Sequence, residues 1–368
     1  MKTKTKQKMI LLTILIILTL TMQGCGRRTP ITNFYTGSQG LEIELLNNAP
    51  PRTVVEGSQF SIMINAWNKG AHTIPKDEAF VSVRYDPVYF KQENADSRDF
   101  LTSHPEGNLP ELSGRSEVWQ QGESILIPLT KLRAHEIIGT RETPITNIEV
   151  STCYSYKTYF SEMVCLDTDV YGVDQDPVCR NRGVFTYSDQ GAPIAINRLE
   201  VDMLPLGFIQ HGLDVPAHMP VINESGELIG IAPTVTTEKL VLIEPVIRIY
   251  ARNVGRGTVF IAEEEQAPNA KSLCSITRED ALGIIREDTE KRIYNRVRLV
   301  NATLDGFQMD CGEKTTLSTA RRDDFIMCRL HPDQTGYLRQ NLQAPLNLEL
   351  EYYYAKSETH QIRIERLN

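Results

Sequence analysis

From Phe60 to Ile74 (FSIMINAWNKGAHTI) apolar residues alternate with exposed ones, and the pattern recurs at Pro245 to Val259 (PVIRIYARNVGRGTV). Phe60, Ile62, Ile64 and Ala66 mark one face of the first copy; Ile247, Ile249 and Ala251 mark the same face of the second. A period of two is that of a half-buried strand. Each run ends in Asn-x-Gly, at Asn68 to Gly70 and Asn253 to Gly255, where both residue types tolerate turn conformations, and then Thr and a β-branched residue resume. The repetition predicts two tandem units of one design.

The flanking segments repeat as well. Phe34 to Gly40 opens the first unit and Phe185 to Gly191 the second; Leu41-Glu-Ile-Glu-Leu45 answers Leu199-Glu-Val-Asp-Met203, and prolines follow at Pro50, Pro51 and Pro205. Proline cannot donate to a ladder and so closes a strand. The next connection is short in the first unit, Arg52 to Ser58, and long in the second, Leu206 to Glu244, where Lys239 to Ile243 is itself strand-like. A long loop on a rigid scaffold is where binding often resides. Phe80 to Tyr85 and Val118 to Leu132 read as strands around a polar loop, Gln92 to Ser116. In the second unit Ile276 to Lys291 suits a short helix, and Val297 to Val300, Phe307 to Cys311 and Phe325 to Leu330 suit short strands.

Each unit is expected to close with a hairpin. Ile148, Val150, Tyr154, Tyr156, Val164 and Leu166 answer Leu346, Leu348, Tyr352, Tyr354, Ile362 and Ile364 at one constant offset of 198 residues. These form the inward face, which puts Cys153 and Cys165 outward, where the second copy has Glu351 and Arg363. Cross-strand neighbours take either form, so Cys153 is expected to pair with Cys165. Cys311 and Cys328 pair next, leaving Cys179 and Cys274 to lock the two units together; the alternative is Cys165 with Cys179, closing the acidic loop between them.

Composition adds an address. The chain has 368 residues, 41% hydrophobic and 23% charged, which is globular and long enough for two or three cores. A net charge of −8, with no basic block beyond the first eight residues, argues against a nucleic-acid partner. Lys2, Lys4, Lys6 and Lys8 precede an apolar run, Met9 to Met22, and then Gly24-Cys25, which reads as an export signal too short to span a bilayer. Thr21 to Cys25 looks like a lipobox, cut before Cys25, with that cysteine lipidated and residues 26–33 a polar tether at the membrane. An uncut anchor would also tether the chain, and an ordinary cleaved signal would free it. Export accounts for the remaining six cysteines, an even number with no zinc-site spacing.

Two units of about 150 residues, rich in strands and turns, point to an all-β fold of two tandem antiparallel sandwiches of the immunoglobulin-like class, residues 34–184 and 185–368, after the signal at 1–24. The organising strand with Asn68-Lys-Gly70 and Asn253-Val-Gly255 resembles CARDB domains and the Ig-like stalk domains of prokaryotic surface proteins. Tyr35 to Leu41 with Asn48-Ala-Pro-Pro51 is similar to archaeal exported proteins. The resemblance implies adhesion, spacing or assembly at the cell surface, with a protein or glycan partner, and supplies no catalytic residues.

The chain has no GxSxG, HExxH, P-loop or GxGxxG pattern. Asp167, Asp169, Asp174 and Asp176, with Gly172 at the turn, resemble the start of a calcium loop, although Tyr171 and Val178 stand where further ligands belong; a solvated acidic loop is the other reading. No other cofactor is indicated. Asn223 and Asn301 begin glycosylation triplets, and Trp67 falls on the outward face of its strand, partly covered by a neighbouring loop. The leading expectation is a non-catalytic surface lipoprotein on the outer side of the cell membrane. Its rivals are a hydrolase or solute-binding lipoprotein using His211 and His218 in the 206–244 loop, and an envelope subunit that polymerises through sheet edges.

Overall fold

The computed structural model describes residues 34–93, 100–103, 107–136, 143–167, 179–180, 183–209, 220–222, 228–231, 240–262, 274, 292–331 and 342–366. The first half of this region contains strands β1 (Leu41–Leu45), β2 (Thr53–Val55), β3 (Gln59–Asn68), β4 (Ala79–Tyr85), β5 (Phe90–Gln92), β6 (Ser124–Ala134) and β7 (Ile145–Leu166). The second half continues with β8 (Val184–Thr186), β9 (Ile194–Ile209), β10 (Pro220–Ile222), β11 (Leu228–Ile231), β12 (Leu240–Asn253), β13 (Thr258–Ala262) and β14 (Arg292–Tyr294). It ends with β15 (Arg296–Leu304), β16 (Phe307–Gln308), β17 (Thr316–Ser318), β18 (Ile326–Arg329) and β19 (Leu342–Glu365). The fold is all-β, and Phe34–Asn368 forms one compact unit.

Each organising strand lies inside a small antiparallel sheet, β1-β3-β6-β5 in the first half and β8-β9-β12-β18 in the second. Strict alternation sends Phe60, Ile62, Ile64, Ala66 and Asn68 of β3 inward. The register corrects one equivalence: Leu41 lies opposite Asn68, and Ile194, five residues before Leu199, lies opposite Asn253. β6 begins at Ser124, later than Val118, because Gly122 turns the chain with φ +82°. The long second-half connection is largely strand in its described part: Leu240 to Ile243 extends β12 against β9 as far as Ile209, and β10 and β11 form a separate two-stranded sheet.

The expected closing hairpins do not form. β7 and β19 are single strands of 22 and 24 residues. Neither Lys157 to Glu162 nor Ala355 to Gln361 contains Gly, Pro, Asn or Asp, and the single serine in each, Ser161 or Ser357, is a weaker turn former, so neither stretch favours a tight turn. The two strands instead pair with each other, antiparallel, from Ile145 opposite Arg363 to Leu166 opposite Leu342. They form the spine of a nine-stranded sheet to which both halves contribute. The inward residues are as the alternation requires: Ile148, Val150, Tyr154, Tyr156, Val164 and Leu166 are buried, as are their six counterparts.

The pairing has a centre. The offset of 198 maps Ser155 onto Tyr353, and these residues sit directly opposite one another. A pseudo-two-fold axis therefore passes between them, and both small sheets lie on one face of the shared sheet. On that face Tyr154, Tyr156, Tyr352 and Tyr354 form a contiguous aromatic cluster, with ring centroids 5.5 to 6.3 Å apart.

Each tyrosine hydroxyl fastens a small sheet to the spine. Tyr156 Oη donates to Asn68 Oδ1 at 3.2 Å, and its equivalent Tyr354 Oη donates to Asn253 Oδ1 at 3.3 Å. The Leu41 N–H donates to Tyr154 Oη at 3.2 Å, and Tyr352 Oη reaches the other small sheet through Thr158, whose Oγ1 lies 3.0 Å from it and donates to the Ile194 carbonyl at 2.8 Å. Each Asn completes its motif by accepting from the Gly two residues on and donating to the carbonyl four residues on, His72 or Gly257. The glycines are needed for space, since neither has a positive φ. A Cβ on Gly70 would lie 1.9 Å from Tyr156 Oη, and one on Gly255 would lie 2.2 Å from Tyr354 Oη.

The disulfides correct two of the expected pairings. Cys153 and Cys165 lie on one continuous strand, roughly 40 Å apart at about 3.3 Å per residue, far beyond the 7 Å Cα limit of a disulfide. Cys153 bonds Cys274 instead, so the expected Cys179–Cys274 bond is replaced as the link between the halves. Cys165 bonds Cys179, the alternative pairing, and Cys311 bonds Cys328 as expected. The Cys153–Cys274 bridge belongs to a small apolar cluster with Phe80, Phe260 and Ala262 on the face of the spine opposite the tyrosines.

Gly255→Ala is expected to destabilise the fold by about 2 kcal/mol or more through overpacking, and Tyr354→Phe by about 1 to 2 kcal/mol through the lost hydroxyl partner. Combined, they should cost less than their sum in urea titrations, because removing the hydroxyl relieves the closest contact and leaves that with Pro193. A second expectation concerns His72, whose ring meets Tyr156 edge-on at 5.2 Å and whose Nδ1 lies 3.3 Å from Tyr159 Oη. Burial, with Lys157 nearby, pulls its pKa down to about 4 from 6.5. Between these values the unfolded chain binds the extra proton, so stability rises with pH from 4 to 6.5, by up to about 3 kcal/mol from this residue. His72→Gln should remove that part of the pH dependence of urea unfolding; an unchanged profile would exclude His72 as its source.

Candidate functional site

The two small sheets match in their inward faces and differ in their outward ones. Where β3 carries Met63 and Asn65, the equivalent positions of β12 carry Arg248 and Tyr250. The Arg198 guanidinium stacks 3.7 Å from the Tyr250 ring, Tyr250 meets Phe325 at 5.5 Å, and Arg248 approaches the Phe325 ring at 5.9 Å. A strip of cations and aromatics thus crosses the sheet from β9 through β12 to the edge strand β18.

Next to the strip lies a concavity of about 560 Å³, within the range of small-ligand sites. Phe325, Met327 and Cys311 supply apolar lining, and Asp310, Glu313, Lys314, Asp323, Asp324, Arg329 and His331 supply polar lining. The sequence builds its wall locally. The Asp310 carboxylate accepts from the Gly312 N–H at 2.9 Å, and Gly312 takes φ +67°. Asp310 and Arg329 exchange backbone hydrogen bonds at 2.8 and 2.7 Å, and Cys311–Cys328 fixes the loop to the strand. On the opposite side Lys314 Nζ donates to Asp324 and to the Phe325 carbonyl, and the Ser318 N–H donates to Asp324 at 2.7 Å.

Much of the charge here is matched. Arg248 pairs with Asp202 at 2.7 Å and with Glu200 at 3.3 Å. His331 lies between Glu244 at 3.3 Å and Asp310 at 3.6 Å, and Arg329 stands 4.0 Å from Glu244, which is buried. The Gly312 N–H and His331 hold the Asp310 carboxyl below its ordinary range. Burial would raise the Asp324 carboxyl, but the hydrogen bonds from Lys314 and Ser318 outweigh it and the net shift is downward. The arrangement offers donors, acceptors and an apolar surface, which suits holding a ligand.

Of the residues singled out in the sequence, Cys311 lines the concavity and Cys328 is bonded to it. Cys25, Asp169, Asp174, Asp176, His211, His218 and Asn223 fall outside the described residues. Asp167 directly follows β7, beside the Cys165–Cys179 bridge. Among the described residues no three His, Cys, Asp or Glu side chains gather to hold a metal ion. Asn301 lies within β15 opposite Glu349, half-buried. Trp67 is partly covered, as expected: its Nε1–H donates to the Gln121 carbonyl at 2.9 Å, and Lys69 Nζ lies 4.4 Å from the ring centroid. Sequence reading missed the strip, although its signal was present in the contrast of Arg248 and Tyr250 with Met63 and Asn65. No protein-family model matches the chain, and no curated protein is similar to it.

Replacing Cys311 and Cys328 together by serine is expected to lower stability by about 3 kcal/mol, the value for a loop of this size. Thermal unfolding should remain a single transition, since the tyrosine-fastened spine is untouched. A loss above about 5 kcal/mol would show that the loop is integral to the core, and separate transitions would show that it unfolds independently of the spine.

Proposed function

We propose that this chain is an exported, non-catalytic binding protein, tethered to the outer face of the cell membrane through a lipid on Cys25. In this reading each half is an Ig-like, CARDB-like sandwich whose spine strand is shared with the other. The observation that carries the proposal is that all six cysteines after Cys25 are joined in three disulfides. Disulfides persist in oxidising surroundings and are rare in the reducing cytosol. The apolar run and Gly24-Cys25 supply the export signal and the anchor. A binding role is supported by the concavity beside β18, whose polar groups are held by fixed partners on a rigid sheet.

Intact mass and non-reducing peptide mapping of the native protein extracted from membranes test this directly. The expected chain begins at Cys25 with added lipid mass, and its six other cysteines contain no free thiol. A chain retaining Met1 to Gly24 would remove the lipid anchor from the proposal. Reduced cysteines would remove the exterior location.

A further inference from the structure

We propose that the concavity beside β18, with the adjoining strip on β12, binds a neutral oligosaccharide. The inference rests on the reading of the protein as a surface binding module and names the ligand class of that site.

Three observations select the class. First, the site combines an apolar surface with polar groups of both kinds: Phe325 and Met327 stand among carboxylates, a lysine, an arginine and a histidine. A sugar ring presents C–H faces to aromatic and thioether surfaces while its hydroxyls donate and accept around the rim, so one ligand uses the whole lining. Second, the fixed cations are matched by anions already in place, Lys314 by Asp324 and Arg248 by Asp202 and Glu200, and the His331 ring lies beside the Glu244 and Asp310 carboxylates. An anionic ligand would have to displace these carboxylates. A hydroxyl can accept from a paired donor and donate to a paired carboxylate without breaking the pair.

Third, among the described residues the strip has no counterpart on β3: Asn65 stands where β12 has Tyr250 and Met63 where it has Arg248, and the remaining outward residues are Gln59, Ser61 and Trp67, whose Nε1–H is already occupied. Duplication preserved the fastening residues in both halves while this face diverged. Fold maintenance does not require that divergence, since the first half is built without it. Glu313 and Asp323 at the rim add acceptors for further hydroxyls; they would also attract an organic cation, which the test distinguishes.

The test is affinity electrophoresis of the full chain, in a detergent without a sugar headgroup, through native gels containing mannan, dextran or galactan. Parallel gels contain polygalacturonate, and a competition series contains spermidine. The expected result is retardation in at least one neutral gel that survives about 0.5 M NaCl, where ion pairing is screened within about 5 Å. Phe325→Ala should weaken it by about tenfold or more, as for loss of a central aromatic contact, and Trp67→Ala, on the other small sheet, should leave it unchanged. Asp323→Asn, at an exposed position, should also weaken it and serves if Phe325→Ala fails to fold. Mobility unchanged in all three neutral gels would overturn the proposal. So would salt-sensitive retardation by polygalacturonate alone, abolition by spermidine, or full retention in both variants. The lipid and thiol measurements do not depend on these gels, so a lipidated chain without retardation would remove the site and leave the anchored reading standing.

Discussion

Two hydrogen bonds, one from Tyr156 to Asn68 and one from Tyr354 to Asn253, fix how this chain packs. Each joins the end of an organising strand to the middle of a spine strand, and each is made where the following glycine leaves room for the hydroxyl. Apolar burial would hold the sheets together without them, but it is non-directional. A hydroxyl buried in such a core must find its partner, so these bonds select one register among those that hydrophobic packing would allow. The Asn, the Gly and the Tyr therefore act as a set, present once in each half.

The legibility of the sequence follows from this distinction. Alternation exposed the strands and their buried faces, because period two is a local property; the inward residues of β3, β7 and β19 could be read directly. The duplication was legible for the same reason. The partner of each long strand was not, because an alternating run of this kind is compatible with a hairpin or with pairing to a distant strand, and only the lack of Gly, Pro, Asn and Asp between Tyr156 and Val164 distinguished them. The misplaced cysteine pairing came from that one choice. The Asn-x-Gly motif was legible as a turn and illegible as a tyrosine socket, since its glycine answers to an atom from 86 residues further along the chain. The strip on the second small sheet lay in the differences between the copies, where attention to their agreements passes over it.

Symmetry also explains where the disulfides fall. None of the three is repeated between the halves: one spans them on the outer face of the spine, one closes the connection after β7, and one closes the loop at β18. The shared packing is set by the duplicated residues, and the covalent links fall where the copies differ. The disulfides thus mark departures from symmetry, and the tyrosines mark its preservation.

The short strand β2 runs parallel to the end of β19, with Thr53 to Val55 beside Arg363 to Glu365. Arg363 N–H also donates to the Arg52 carbonyl, and Glu56 N–H to that of Glu365. A parallel pair formed near the two ends of the folded region behaves distinctively under tension. When the chain is pulled between Phe34 and Arg366, these bonds are loaded together in shear, and none can open before the others. The molecule thus has a mechanical clamp at the end of β19, whereas a load entering at Phe34 meets β1 and the Leu41–Tyr154 bond before it reaches β2.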